Sequence, residues 1–441
     1  MRAYAGSYTA ADWVTVVNDA PPVIAIAQPV DGDVLAGTVA FQATASDDGG
    51  VSNVKFYVDG LLVATDLTSN YTTNVSTGSY TDGSHTLTAM ATDTALQTTS
   101  VSVTVDLLNP GWTSTSVDST GDVGTYARIA LDASDVPHVV YFDATNEDLK
   151  HAWNDGAGWT TETVATTGCV GTWPSLAFDA SGDAWVSYLD CTSNALMVAT
   201  DASGAWMSTT VDTGDVRDGT TDIAVSPTTD VPTVCYHSEN SDTQQVAWYS
   251  GGAWSTFIVD NPVDTTGLSC NIAFDSTGEA NIFYVNDAAD QVELAQGLGT
   301  SWTKSTLTED YVLESTFGHL CATIDDDDVT HLGFYDNDGF NLVYGTDGSG
   351  SWEFDDVDTS GRVGQYCGIA VDDFGLVHMS YHDDSNGNLT YAVHNGYQWT
   401  AIDIVTTNDV GTFTSIAVDS YGYSTIAYVD ETNDDLVVVE Q

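Results

Sequence analysis

The chain has 441 residues and 42% hydrophobic content, enough to fill several conventional cores, which excludes a disordered acidic tail. Against 64 Asp and Glu stand 7 Lys and Arg, a formal charge of -57. A surface so poor in cations repels nucleic acid and anionic membrane faces, and its self-repulsion is relieved by counterions, so we expect a saline setting and neither of those partners.

The opening MRAYAGSYTAADWVTVV has neither a basic nor an apolar leader region, so it does not read as a signal peptide. No apolar run approaches the roughly 18 residues of a membrane helix, so no membrane insertion is expected in this fragment. Composition is nevertheless that of an exported protein, rich in Thr, Ser, Gly and Asp, with sequons at Asn70, Asn74 and Asn388. The expected setting is extracellular or at a cell surface, on a piece of a longer protein.

Residues 22–107 alternate apolar and polar positions over short runs bounded by Asp, Gly and Ser, as in TVAFQATASDD and HTLTAMATD, a β-sandwich pattern. The stretches SDDGGVSNVKFYVDG and DGSHTLTAMATD resemble the bacterial and archaeal immunoglobulin-like modules of surface proteins and secreted carbohydrate-active enzymes. That resemblance implies a spacer or stalk. Residues 1–21 resemble the last strands of a further such module, with more immunoglobulin-like modules expected upstream. An unpaired strand edge there would pack on its neighbour or support self-association.

Residues 108–441 carry a repeat. Trp112, Trp159, Trp206, Trp254, Trp302, Trp352 and Trp399 follow one another at intervals of 47, 47, 48, 48, 50 and 47. Tyr141, Tyr188, Tyr236, Tyr284, Phe334, Tyr381 and Tyr428 keep the same register. Each unit holds four strand-sized runs without helical periodicity, which predicts a seven-bladed β-propeller closed by pairing the N- and C-terminal strands of the array. The fold class is therefore all-β, an immunoglobulin-like sandwich followed by that propeller.

Because the Trp and Tyr ladders recur in every unit, they read as packing, and a site is sought where units differ. Aligned on the IA pair of IALD, the residue three positions earlier is Tyr126, Trp173, Thr220, Ser269, His319, Tyr366 and Phe413, predicted to ring one mouth of a channel. Aromatic rings there suit stacking on sugars or simply plugging the channel. Arg128, Arg217 and Arg362 fall in or beside the same loops and either invite an anionic ligand or pair with neighbouring Asp.

Seven-bladed lyases of algal polysaccharides are similar in outline, and His319 with Tyr366 are the acid and base that reading would need. Propeller sialidases carry an S-x-D-x-G-x-T-W box that DASGDAW, residues 179–185, only echoes. Oxygen-rich turns put Asp336, Asp338, Asp383 and Asp430 forward as Ca2+ ligands, against the alternative of ordinary turn chemistry; no cofactor is otherwise required. His138, His331 and His378 occupy one equivalent strand position and read as structural. Of six Cys, Cys169 with Cys191 is the first expected disulfide, and Cys235 with Cys270 and Cys321 with Cys367 would link adjacent blades.

Recognition is favoured over catalysis: a rigid adhesion or glycan-binding head on a stalk. A polysaccharide lyase or glycoside hydrolase acting on anionic polysaccharide is the enzyme alternative, and a structural subunit of a surface layer or filament is the third.

Overall fold

The computed structural model describes residues 19–35, 37–80, 83–107, 111–214, 216, 219–239, 241–261, 266–286, 289–308, 311, 313, 320–394 and 399–441. His319, Arg217 and the opening strand pair lie outside the described residues. The chain divides into two compact units. One is built mainly from residues up to 34, 40–73 and 83–106, and the other mainly from residues 107–441 with 35–39 and 74–82.

Mainly in the first unit, a three-stranded sheet, Val23–Gln28, Thr38–Ser46 and Thr72–Ser76, accompanies a five-stranded sheet ordered Val34–Leu35, Thr98–Leu107, Gly83–Asp93, Val51–Val58, Leu61–Asp66. Strand alternation sends every second residue inward. Phe41, Val54, Phe56, Val58, Leu87, Ala89 and Ala91 are accordingly buried, and the Phe41 and Phe56 rings meet edge to face at 4.8 Å.

The second unit is a propeller-like array of four-stranded antiparallel meanders. The first sheet runs Val123–Leu131, Pro137–Asp143, Asp148–Asn154, Trp159–Ala165. The next five begin at Val170–Phe178, Thr221–Val225, Thr266–Phe274, Leu320–Ile324 and Val363–Val371. The seventh joins Val410–Val418, Ser424–Asp430 and Asp435–Glu440 to Thr113–Asp118, which supplies its outermost strand from the other end of the array. First strands lie beside one another in order, and that of the seventh sheet lies beside that of the first.

Each ladder Trp is partly buried against one of the core clusters. The ladder tyrosines are buried in the second strands, and four send their hydroxyls to a carboxylate on the outermost strand of the preceding sheet. Tyr141 donates to Asp118 at 2.7 Å, Tyr236 to Asp212 at 2.7 Å, Tyr284 to Asp260 at 2.8 Å and Tyr381 to Asp358 at 2.7 Å. Lys150 and Lys304 reinforce two of these carboxylates, Asp118 and Asp260. Three disulfides are formed: Cys169–Cys191 within the second sheet, Cys235–Cys270 between the third and fourth, and Cys321–Cys367 between the fifth and sixth.

The repeated His tie turns to strands. His331 lies 2.7 Å from the Tyr344 hydroxyl and 3.2 Å from Asp325, and His378 lies 2.6 Å from Tyr391 and 3.3 Å from Asp372. His138 instead meets His151 at 2.9 Å, and burial, with that second ring beside it, pushes its pKa down to about 4. The folded state thus resists a proton that the unfolded chain accepts near pH 6.5, so this group's stability is complete above that pH and is lost as pH falls toward 4. We expect His138→Gln to narrow the difference in urea midpoint between pH 7.5 and pH 5; an unchanged difference would show that His138 is not the group responsible.

Candidate functional site

The site begins with a local backbone device. In the first, second, sixth and seventh sheets the first strand opens Val-Gly-x-aromatic: Val123–Tyr126, Val170–Trp173, Val363–Tyr366 and Val410–Phe413. The glycines have φ of 100°, 104°, 102° and 99°, and the aromatics have φ of 61°, 51°, 52° and 50°. Left-handed backbone at a bulky residue costs on the order of 1–2 kcal/mol, so its recurrence at four equivalent positions requires compensation from packing. In all four sheets the pairing register shifts across the aromatic, as between Thr125 and Arg128, and the bulge frees the side chain from the sheet face.

These four sheets are consecutive around the closed succession of first strands, and their rings form an arc. Tyr366 and Phe413 lie 4.6 Å apart, Phe413 and Tyr126 4.9 Å, and Tyr126 and Trp173 4.1 Å between centroids. Trp173 is 9% exposed, whereas Tyr126, Tyr366 and Phe413 keep part of their surface in solvent. Burial raises the Tyr126 phenol above its usual range, so it is a neutral hydroxyl. The equivalent positions in the third and fourth sheets are the buried Thr220 and Ser269. Thr220 Oγ1 accepts from the Cys270 N–H at 2.8 Å.

Two residues further along each first strand stand Arg128, Ser175, Asp222, Asn271, Cys321, Gly368 and Ser415, and all line one cavity. Asp222 accepts from Ser175 Oγ at 2.6 Å and from the Ile272 N–H at 2.9 Å. Burial raises its pKa; those donors and the Arg128 charge oppose the rise. Arg128 is in turn shifted down by burial and held up by Asp222. Sequence reading singled out Arg128 but missed the other members of this ring, although the +2 offset from the mouth positions was there to be followed.

The remaining predicted residues lie elsewhere. Arg362 is 3.1 Å from Asp384 and its guanidinium covers the Phe340 ring at 5.1 Å, so its charge is engaged locally. Tyr366, proposed to act with His319, has the buried His382 as a ring neighbour at 6.4 Å. Asp336, Asp383 and Asp430 each cap the turn that follows them. Asp336 accepts from the Asp338 and Gly339 N–H groups, Asp383 from those of Ser385 and Asn386, and Asp430 from those of Thr432 and Asn433. Among the described residues the one group of acidic oxygens close enough to share an ion is Asp19, Asp47 and Asp48.

No curated protein matches the chain. Among solved structures it is similar to the SapL1 lectin in complex with alpha methyl fucoside, at 15% identity and TM-score 0.48, covering 65% of this chain and 98% of that one. AofleA from Arthrobotrys oligospora is 13% identical at TM-score 0.46, covering 67% of this chain and 90% of that one. A Hadza microbial sialidase is 12% identical at TM-score 0.45, covering 86% and 95%. At the level of sequence family, residues 22–89 match the bacterial Ig domain.

Proposed function

We propose that residues 108–441 form a seven-bladed β-propeller that serves as a carbohydrate-recognition head of an extracellular or surface protein in a saline setting, with the immunoglobulin-like module as its stalk. The observation that carries this reading is the arc of Tyr366, Phe413, Tyr126 and Trp173, four rings turned to one mouth by four bulges. Sugars present C–H faces that stack on aromatic rings and hydroxyls that need nearby polar partners, and two residues along the same first strands from the arc stand Arg128, Ser175 and Ser415 of the polar ring. The local engagement of Arg362 with Asp384 weakens the three-arginine version of an anionic clamp. This reading does not call on calcium: of the four carboxylates advanced for it, Asp336, Asp383 and Asp430 accept from N–H groups of their own turns.

The test is a glycan array that includes uronate-rich and sulfated polysaccharides, read with wild type and with Tyr366→Ala and Phe413→Ala. We expect binding to fall about tenfold or more in each variant. A silent array, or variants that bind like wild type, would overturn the reading. Release of unsaturated ends from a bound polymer would replace it with the lyase alternative.

A further inference from the structure

Scarcity makes the basic residues of this chain easy to account for. In the repeats the structure describes Arg128, Lys150, Lys304 and Arg362. Lys150 is bound to Asp118, Lys304 to Asp260 and Arg362 to Asp384. Among the described residues Arg128 alone of these four has no carboxylate at ion-pair distance, and its hydrogen bond there runs from Nη1 to its own neighbour's carbonyl, Ala127 O, at 3.2 Å. It is nevertheless partly buried, and it lines the cavity. A guanidinium carries five N–H donors and is costly to enclose without acceptors.

Asp222 acts on Arg128 only through space: its oxygens accept from Ser175 and from the Ile272 N–H, and among the described residues no ion pair joins it to the guanidinium. A second mismatch sits in the same ring: Asn271 Oδ1 is buried and has no donor among the described residues. The cavity these groups share measures about 160 Å³, well short of the roughly 300 Å³ at which drug-sized ligands begin, and so takes one small group.

We infer that this cavity is a subsite for a hydroxylated carboxylate, the carboxylate accepting from Arg128 and a ligand hydroxyl donating to Asn271 Oδ1. Sulfate answers Arg128 but has no hydrogen for Asn271. A neutral sugar answers Asn271 but offers Arg128 no charged acceptor at hydrogen-bond distance. In a glycan the group with both features is a uronate residue; a free hydroxy acid shares the chemistry. The glycan source rests on the recognition reading above, whereas the pairing of carboxylate with Arg128 does not.

Titration calorimetry on the full chain, at low and at molar NaCl, would use glucuronate, galacturonate, methyl glucoside, sulfate and glycerate as separate ligands. The expected result is saturable uronate binding, with methyl glucoside and sulfate each about tenfold weaker or worse. Since Arg128→Gln alone strands Asp222, the companion variant is Arg128→Gln with Asp222→Asn, which keeps the cavity neutral. It is expected to melt near wild type and to lose about tenfold or more of uronate affinity.

Sulfate or methyl glucoside binding within about threefold of uronate, or a folded double variant that binds uronate like wild type, overturns the subsite. Absence of uronate and glycerate binding overturns it too, and if Tyr366→Ala still abolishes polymer binding the recognition reading survives that failure. Glycerate bound more tightly than uronate would assign the cavity to free hydroxy acids and overturn the glycan source. Arg128-dependent uronate binding without any polymer binding would sink the recognition reading and leave the subsite standing.

Discussion

Gly171→Ala is expected to lower the unfolding free energy by about 3 kcal/mol or more, a large effect for one methyl group. Two costs coincide there. With φ at 104° the position lies where an L side chain is strained. A Cβ would also stand 2.7 Å from Leu149 Cα and 2.7 Å from Leu149 Cβ in the preceding sheet, and a backbone neighbour cannot swing aside as a long side chain would. The same contact recurs at Gly124 against Leu436 Cα at 2.9 Å and at Gly364 against Leu342 Cα at 2.8 Å, so the motif brings adjacent sheets to backbone contact.

Gly182 provides the control. Its φ is 84°, but nothing lies within 4 Å of an added Cβ, so Gly182→Ala should show only the backbone cost of roughly 1 kcal/mol. Urea unfolding of the two variants separates strain from collision. Equal losses would mean that the close approach to Leu149 is not what holds the entry loop. A loss at Gly171 should also disturb Trp173 two residues on, so glycan binding should fall before the fold does.

How far these features were legible in the sequence depends on whether they repeat. Trp112 to Trp399 and Tyr141 to Tyr428 announce themselves by period, because every sheet must bury the same ring in the same place. The four mouth aromatics were found by the same alignment, yet their joining into one arc depends on the seventh sheet lying beside the first, a contact between residues far apart in the chain. For Arg362 the sequence left local pairing open beside ligand binding, and its partner, Asp384, arrives from a turn whose placement no spacing rule reports. The acidic turns read as ordinary turn chemistry first and as ion sites second, and N–H groups of Asn386 and Asn433 do point at Asp383 and Asp430. Beyond Arg128 the polar ring, with Ser175, Asp222 and Asn271, was missed because its residue types change from sheet to sheet, so only the two-residue offset from the aligned mouth positions marks it.

Tyr381→Phe is expected to cost about 2 kcal/mol, the range for a buried hydroxyl that donates to a carboxylate. The acceptor, Asp358, stands six residues after ladder Trp352, and the same spacing gives Asp118, Asp212 and Asp260 for the other three pairs. Where that position is not acidic the ladder hydroxyl changes partner or disappears. Ala165 precedes Tyr188, whose hydroxyl is bonded to Ser208, and Val405 precedes Tyr428, which reaches Ser114 at 3.5 Å. Thr308 precedes Phe334, and there the hydroxyl is missing as well.

Donor and acceptor are thus lost together at the one position where the ring is Phe, as expected if an unpaired buried hydroxyl costs more than an absent one. Phe334→Tyr should therefore destabilise by about 1–3 kcal/mol even though it restores the ladder residue, since Phe334 is 1% exposed and packs against Tyr311 at 5.1 Å. Asp358→Leu should cost a comparable amount by stranding the Tyr381 hydroxyl. The pair Tyr381→Phe with Asp358→Leu should cost clearly less than the two single changes added, by about 1.5 kcal/mol. Additive losses would mean that the hydroxyl and the carboxylate do not act as a unit, and that adjacent sheets are held by their apolar rings alone.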